Sequence, residues 1–136
     1  MGKKGEIIWI TGQRGSGKTT FALKLLGPDT VHLDGDTLRP LWADLGIPIT
    51  LSKDDRWKQG LRTAKLANFL AVQGLLVIVS VITPYAKLRK EIKALTNCTF
   101  IAMAHNPYPD DPDHPYEFCW DAEILVYRKD KEGKRL

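Results

Sequence analysis

Gly12-Gln13-Arg14-Gly15-Ser16-Gly17-Lys18-Thr19 places glycines, a lysine and a hydroxyl at the spacing G-x-x-x-x-G-K-[ST]. Each residue type has a chemical reason to be there. Glycine leaves backbone N–H groups uncovered, so that they and the start of a following helix form a nest for the β- and γ-phosphates of a nucleotide. Lys18 would bridge those phosphates, and the Thr19 hydroxyl would ligate Mg²⁺. Gly12, Arg14, Gly15, Ser16, Gly17, Lys18, Thr19 and Thr20 are therefore the expected ATP-binding residues, with Thr19 as the metal ligand. The plain alternative is an ordinary glycine-rich turn, and the strand and helix on either side argue against it.

A second cluster, Asp34-Gly35-Asp36, follows a short apolar run and should emerge at the carboxyl edge of a sheet, where open α/β proteins place their ligands. Two acids there can divide the chemistry. One orders a metal-bound water or the loop, and the other accepts a proton from an attacking hydroxyl. Lys18, Asp34 and Asp36 form the expected catalytic group, against the alternative that Asp-Gly serves only a turn.

These residues need elements to hold them. Glu6 to Thr11 reads as a strand buried on both faces, and Gly17 to Leu26 as a short helix stopped by Gly27-Pro28. Thr30 to Leu33 is a second strand, and Leu38 to Leu45 should make one or two short helical turns. Ser52, three residues before Asp55, caps a longer helix running to about Gln73. Leu75 to Ile82 is a central strand. Thr83 and Pro84 should cap and open a helix whose apolar face carries Tyr85, Leu88, Ile92 and Leu95. Thr99 to Ala104 and Ala122 to Tyr127 complete five strands, and strands alternating with helices imply a mainly parallel sheet in three layers. Between Ala104 and Trp120 the prolines and aspartates predict a mobile loop, and Arg128 to Leu136 a fraying tail.

Composition sets the frame. The 136 residues amount to one domain, 1–136, and 43% hydrophobic with 26% charged residues describes a folded chain rather than a disordered one. Lys and Arg exceed Asp and Glu by 20 − 16 = 4, a basic excess that permits phosphate partners without demanding them. Cys98 and Cys119 lack metal or disulfide spacing, which suggests a reduced, cytoplasmic setting. The longest apolar run falls well short of the ~20 residues of a membrane helix, so no membrane partner is expected. Met1-Gly2 resembles a myristoylation start, but Glu6 stands where a hydroxyl residue belongs. His105, His114 and Cys119 are read as ordinary side chains rather than ligands, and Trp9, Trp42, Trp57 and Trp120 as core.

In order and spacing, GQRGSGKTT (Gly12 to Thr20), LDGDTLR (Leu33 to Arg39), DRWKQGLR (Asp55 to Arg62) and GLLVIVSVITPY (Gly74 to Tyr85) resemble the adenylylsulfate (APS) kinases over about residues 6 to 95. The resemblance implies an α/β, three-layer P-loop NTPase fold with a five-stranded parallel sheet. It also implies a kinase moving the γ-phosphoryl of ATP to the 3′-hydroxyl of adenylyl sulfate with Mg²⁺. By position, Asp36 is similar to the family's base and Asp34 to its acidic companion. Arg39, Arg56 and Arg62 resemble its acceptor-binding arginines, and Ile82, Pro84 and Tyr85 its acceptor loop. On a helix, Arg56, Gln59 and Arg62 would share one broad side, a solvated basic face being the plain alternative.

The departures change the acceptor end. Gln59, Leu61 and Arg62 stand where the family usually has Asn and two arginines, which alters one amide and one guanidinium. After the fourth strand, Ala104-His105-Asn106-Pro107 passes almost directly to Asp113-His114-Pro115-Tyr116-Glu117, without the family's basic lid. A missing lid fits an acceptor that closes the site itself. The alternative substrate is thus a nucleotide or a hydroxymethylated base in DNA, as in kinases of viral DNA modification. An alternative of another class is a nucleotide-binding module without turnover. A homodimer is compatible with everything above.

Overall fold

The computed structural model describes residues 3–129 and 132–135; Met1-Gly2 and the tail positions Asp130, Lys131 and Leu136 lie outside them. The chain runs β1 (Ile7–Thr11), α1 (Lys18–Leu23), β2 (Thr30–Asp34), α2 (Gly35–Asp44), α3 (Lys53–Ala71), β3 (Leu76–Ser80), α4 (Ala86–Thr96), β4 (Thr99–Met103) and β5 (Ile124–Val126). The strands pair in parallel in the order β2-β3-β1-β4-β5. The connections from β1 and β3 leave in opposite directions, which opens a crevice above their carboxyl ends.

Strand periodicity sorts the core into two layers. Ile10, Ile78, Ile101 and Met103 point toward α1, where Ala22, Phe21 and Leu25 meet them. Ile7, Trp9, Val77, Val79, Phe100 and Ala102 point the other way, onto α3 and α4. The inward stripe of α3 is small: Gly60, Thr63, Ala64, Ala67 and Ala71 are buried. That lets α4 come close, and a Cβ on Gly60 would sit 2.9 Å from Leu88 Cδ2. Ser52 accepts from Asp55 N and starts α3 as the capping spacing predicts.

Three local expectations are corrected. In place of one or two short turns there is a single ten-residue helix α2 with Pro40 inside it, begun by Asp34, whose side chain accepts from Asp36 N. Thr83 does not cap α4 and Pro84 does not open it. Thr83 has φ 50°, its hydroxyl donates to Val81 O at 2.9 Å and accepts from Trp9 Nε1 at 2.8 Å, and Tyr85 is the N-cap residue instead. Trp120 lies outside the core at 80% exposure. The expected loop between Ala104 and Trp120 is fastened to the body, with Glu117 Oε1 accepting from Ala86 N, while the expected fraying tail falls partly on Asp130, Lys131 and Leu136, outside the described residues. No helix among the described residues is long and apolar enough to cross a membrane.

Leu88 is fully buried between α4 and the glycine of α3. Leu88→Ala should lower the unfolding free energy by about 2–5 kcal/mol, the range for a cavity in a close-packed core. Urea denaturation followed by tryptophan fluorescence would measure it, and an unchanged midpoint would contradict the packing described.

Candidate active site

The loop between β1 and α1 curls over the end of the central strand. Gly12 has no room for a side chain: its Cβ would lie 2.6 Å from Ser16 Oγ and 3.0 Å from Met103 Cβ. Gly17 takes φ 99° as the N-cap residue of α1 and supplies no capping side chain, so the first amides of that helix keep their donors for the cleft. Ser16 lines the cleft, and its hydroxyl is buried without a partner, which is compatible with the backbone role expected of the loop.

Lys18 Nζ donates to Gln13 O at 2.9 Å. Burial lowers its pKa to about 8, against the opposing pull of Asp36 and then Asp34. Thr19 Oγ1 donates to Asp34 Oδ2 at 3.1 Å, and Asp34 Oδ1 accepts from Asp36 N at 3.2 Å. One carboxylate therefore joins the phosphate loop to the start of α2. Asp36 stands differently, with its side chain 79% exposed in the cleft and paired with Arg39 one turn along α2. Uncapped amides beside a desolvated ammonium suit phosphate oxygens. A hydroxyl and a carboxylate within hydrogen-bond reach form a hard oxygen pair that suits Mg²⁺.

One cleft of about 910 Å³ takes in these groups. Arg14, Gly15, Lys18, Thr19 and Thr20 of the phosphate loop and α1 line it, together with Asp34 and Asp36. Arg39, Arg56, Gln59, Ile82 and Pro84 line the same cleft, with Ile49, Thr50 and Leu51. Arg62 and Tyr85, both expected at the acceptor, do not line it. Six residues along a helix turn Arg62 roughly 120° away from Arg56, and its guanidinium lies over Trp42 with 5.5 Å to the ring centroid. Tyr85 stacks on Trp57 at 5.8 Å, with Lys53 Nζ 5.0 Å from its ring.

Several lining residues escaped the sequence reading. Asp113, His114 and Pro115 come from the proline-rich segment, and Tyr127, Arg128 and Lys129 from beyond β5. Arg128 Nη1 donates to Gly15 O at 3.3 Å. Its place just after a strand at the carboxyl edge was a usable signal. Gln13 had none, because its motif position accepts any residue. Tyr116 does not line the cleft; its hydroxyl lies 3.1 Å from Thr11 Oγ1, and burial pushes its pKa up to about 12.

With this geometry in view, the chain compares with known proteins as follows. A family model described as adenylylsulphate kinase matches residues 4–134. An adenylyl-sulfate kinase of Synechococcus sp. (strain JA-3-3Ab) is 33% identical over 141 residues, taking in 98% of this chain and 73% of that protein. One from Chloroflexus aurantiacus is 37% identical over 98 residues, covering 68% of this chain and 51% of its own. Among solved structures, a Mycobacterium tuberculosis APS kinase in complex with AMPPNP and APS superposes with a TM-score of 0.75 at 26% identity, covering 92% of this chain and 89% of that one.

Lys18 also sets a pH signature. Its folded pKa of about 8 lies below the ordinary 10.5, so between those values the unfolded chain holds a proton that the folded one has released. Stability must then rise with pH across that window. Lys18→Met should remove this rise, measured as the wild-type minus variant difference in urea midpoint from pH 8 to 10. A flat difference would contradict the desolvation of Lys18.

Proposed function

This chain belongs to the adenylylsulphate kinase family, and from that premise we propose that it transfers the γ-phosphoryl of ATP to the 3′-hydroxyl of adenylyl sulfate. The observation that carries the reading is the convergence, in one cleft, of Lys18 and Thr19 with Asp36 and with Arg39, Arg56 and Gln59. The comparisons give no support to a modified-DNA acceptor.

The reaction is an in-line displacement at phosphorus. The acceptor oxygen bonds to the γ-phosphorus as the bond to the β–γ bridging oxygen breaks, and ADP leaves. Lys18 and the loop amides hold the charge that develops on the bridging and γ-oxygens. Asp36 takes the acceptor proton, and Arg39 holds its carboxylate in place from one turn away. Bound near Thr19 and Asp34, Mg²⁺ would neutralise charge on the β- and γ-phosphates. Arg56 and Gln59, on one face of α3, meet the anionic end of the acceptor, and Ile82 and Pro84 give its base an apolar wall.

With γ-labelled ATP and adenylyl sulfate, Lys18→Ala should abolish transfer while the protein stays folded. Asp36→Asn should lower kcat by at least about a hundredfold, the general-base range, with ATP affinity little changed. Asp34→Asn should instead raise the Mg²⁺ concentration that transfer needs, because it removes the charge of the carboxylate bonded to Thr19. Near-normal transfer by Asp36→Asn alongside a dead Asp34→Asn would exchange the two roles.

A further inference from the structure

Gln13 is only 2% exposed, and its amide is spent on a segment far along the chain. Its Oε1 accepts from Tyr108 N at 2.6 Å, while Nε2 donates to Tyr108 O at 2.6 Å and to His114 O at 2.9 Å. A primary amide has two N–H donors and one carbonyl, so both donors and the acceptor are engaged. The segment so held is itself closed. The Tyr108 and His114 rings stack at 3.9 Å with 8° between planes, His114 Nδ1 pairs with Asp111 Oδ2 at 3.1 Å, and Asp111 Oδ1 accepts from Asp113 N at 2.9 Å.

This staple borders the phosphate loop. Pro107 Cγ lies 3.6 Å from the position a Cβ on Gly15 would take, and Asp113, His114 and Pro115 line the cleft. The backbone of the same glutamine serves the loop, for Gln13 O accepts from Lys18 Nζ and from Ser16 N at 3.1 Å. We propose that Gln13 is the positioning residue that makes the 105–115 segment a fixed wall of the nucleotide cleft, and that ATP affinity depends on this clamp. The proposal rests on the nucleotide reading above and is indifferent to which acceptor is used. A wall held by three partly buried hydrogen bonds is in place before the nucleotide arrives, so binding need not order that segment.

The test is calorimetric titration of the full chain with Mg·ATP, acceptor omitted, for the wild type, Gln13→Leu and Gln13→Glu. Gln13→Leu keeps the length of the side chain and loses all three bonds; ATP should bind at least about tenfold more weakly, and exchange of the Tyr108 amide should speed up. Gln13→Glu adds a signature that a merely structural role would not move. As a carboxylate it can only accept, whereas once protonated it can donate to Tyr108 O, so its deficit relative to wild type should shrink as pH falls from 7.5 to about 5.5. His114, Asp111 and Lys18 face this site in both proteins, so the ratio at each pH isolates the substituted residue. Wild-type ATP affinity in folded Gln13→Leu overturns the proposal, and so does a Gln13→Glu deficit that is the same at every pH. If Gln13→Leu fails to fold, the pH series of Gln13→Glu decides. Absence of ATP binding by the wild type would overturn the nucleotide reading and this proposal with it.

Discussion

An ammonium group held largely out of water at the end of a doubly buried strand is the constraint to which the rest of this structure answers. Desolvation pulls Lys18 to about 8, and the structure opposes it with the Gln13 carbonyl and the charges of Asp36 and Asp34. None of these is local chance. Asp34 ends β2 and Asp36 lies in the first turn of α2, so the register of β2 against β3, which pairs Asp34 with Ser80, brings both acids beside a loop that begins more than a dozen residues earlier. A buried charge compensated only in part is a standing cost to the fold, and a polyanion seated on the same amides would remove it. Stability has been given up at the place where phosphate would be held.

The central strand that carries this loop is fastened on its other side by a second polar system. Trp9, fully buried, donates to Thr83 Oγ1, and Thr83 in its left-handed conformation presents its carbonyl to Arg89 Nη1 at 2.7 Å. Arg89 is itself 4% exposed, its other terminal nitrogen donating to Glu117 O while its guanidinium lies 5.4 Å from the Tyr116 ring centroid. A guanidinium solvated by carbonyls and an aromatic face ties together β1, the β3–α4 connection and the segment before β5. Ile82 and Pro84 reach the cleft wall because this network bends the chain between them.

What the sequence made legible follows from how local each signal is. The strand, loop and helix around Lys18 are written in contiguous residues, and all five strands appear within two residues of their expected ends. The α4 cap was misread because Thr83 looks like a cap in sequence, and only the tertiary partner Trp9 diverts its hydroxyl. Arg62 and Tyr85 were assigned to the acceptor by family position, and an aromatic neighbour holds each of them elsewhere. The segment from 105 to 117 lacks periodicity, so its order could not be seen: the hydrogen bonds that anchor it to the body go to Gln13, Thr11, Pro84, Ala86 and Arg89, all far away in the chain.

The departures on α3 acquire a physical meaning from this packing. Leu61 stands where the resemblance leads one to expect a guanidinium, and it is partly buried against the core shared by α3, α4 and the sheet. Arg62 beside it is taken up by Trp42. Neither lines the cleft, so of these polar positions on the helix only Arg56 and Gln59, three residues apart and on one face, line it. Arg39 lines the same wall but is already paired with Asp36. An acceptor would therefore find one guanidinium without a carboxylate partner one turn away and one amide, a sparser and less charged wall than two adjacent arginines would make. For the acceptor proposed above, recognition would lean on shape and on the apolar surface of Ile49, Leu51, Ile82 and Pro84 more than on charge, a lining that suits a small acceptor with a planar apolar portion better than a polyanion.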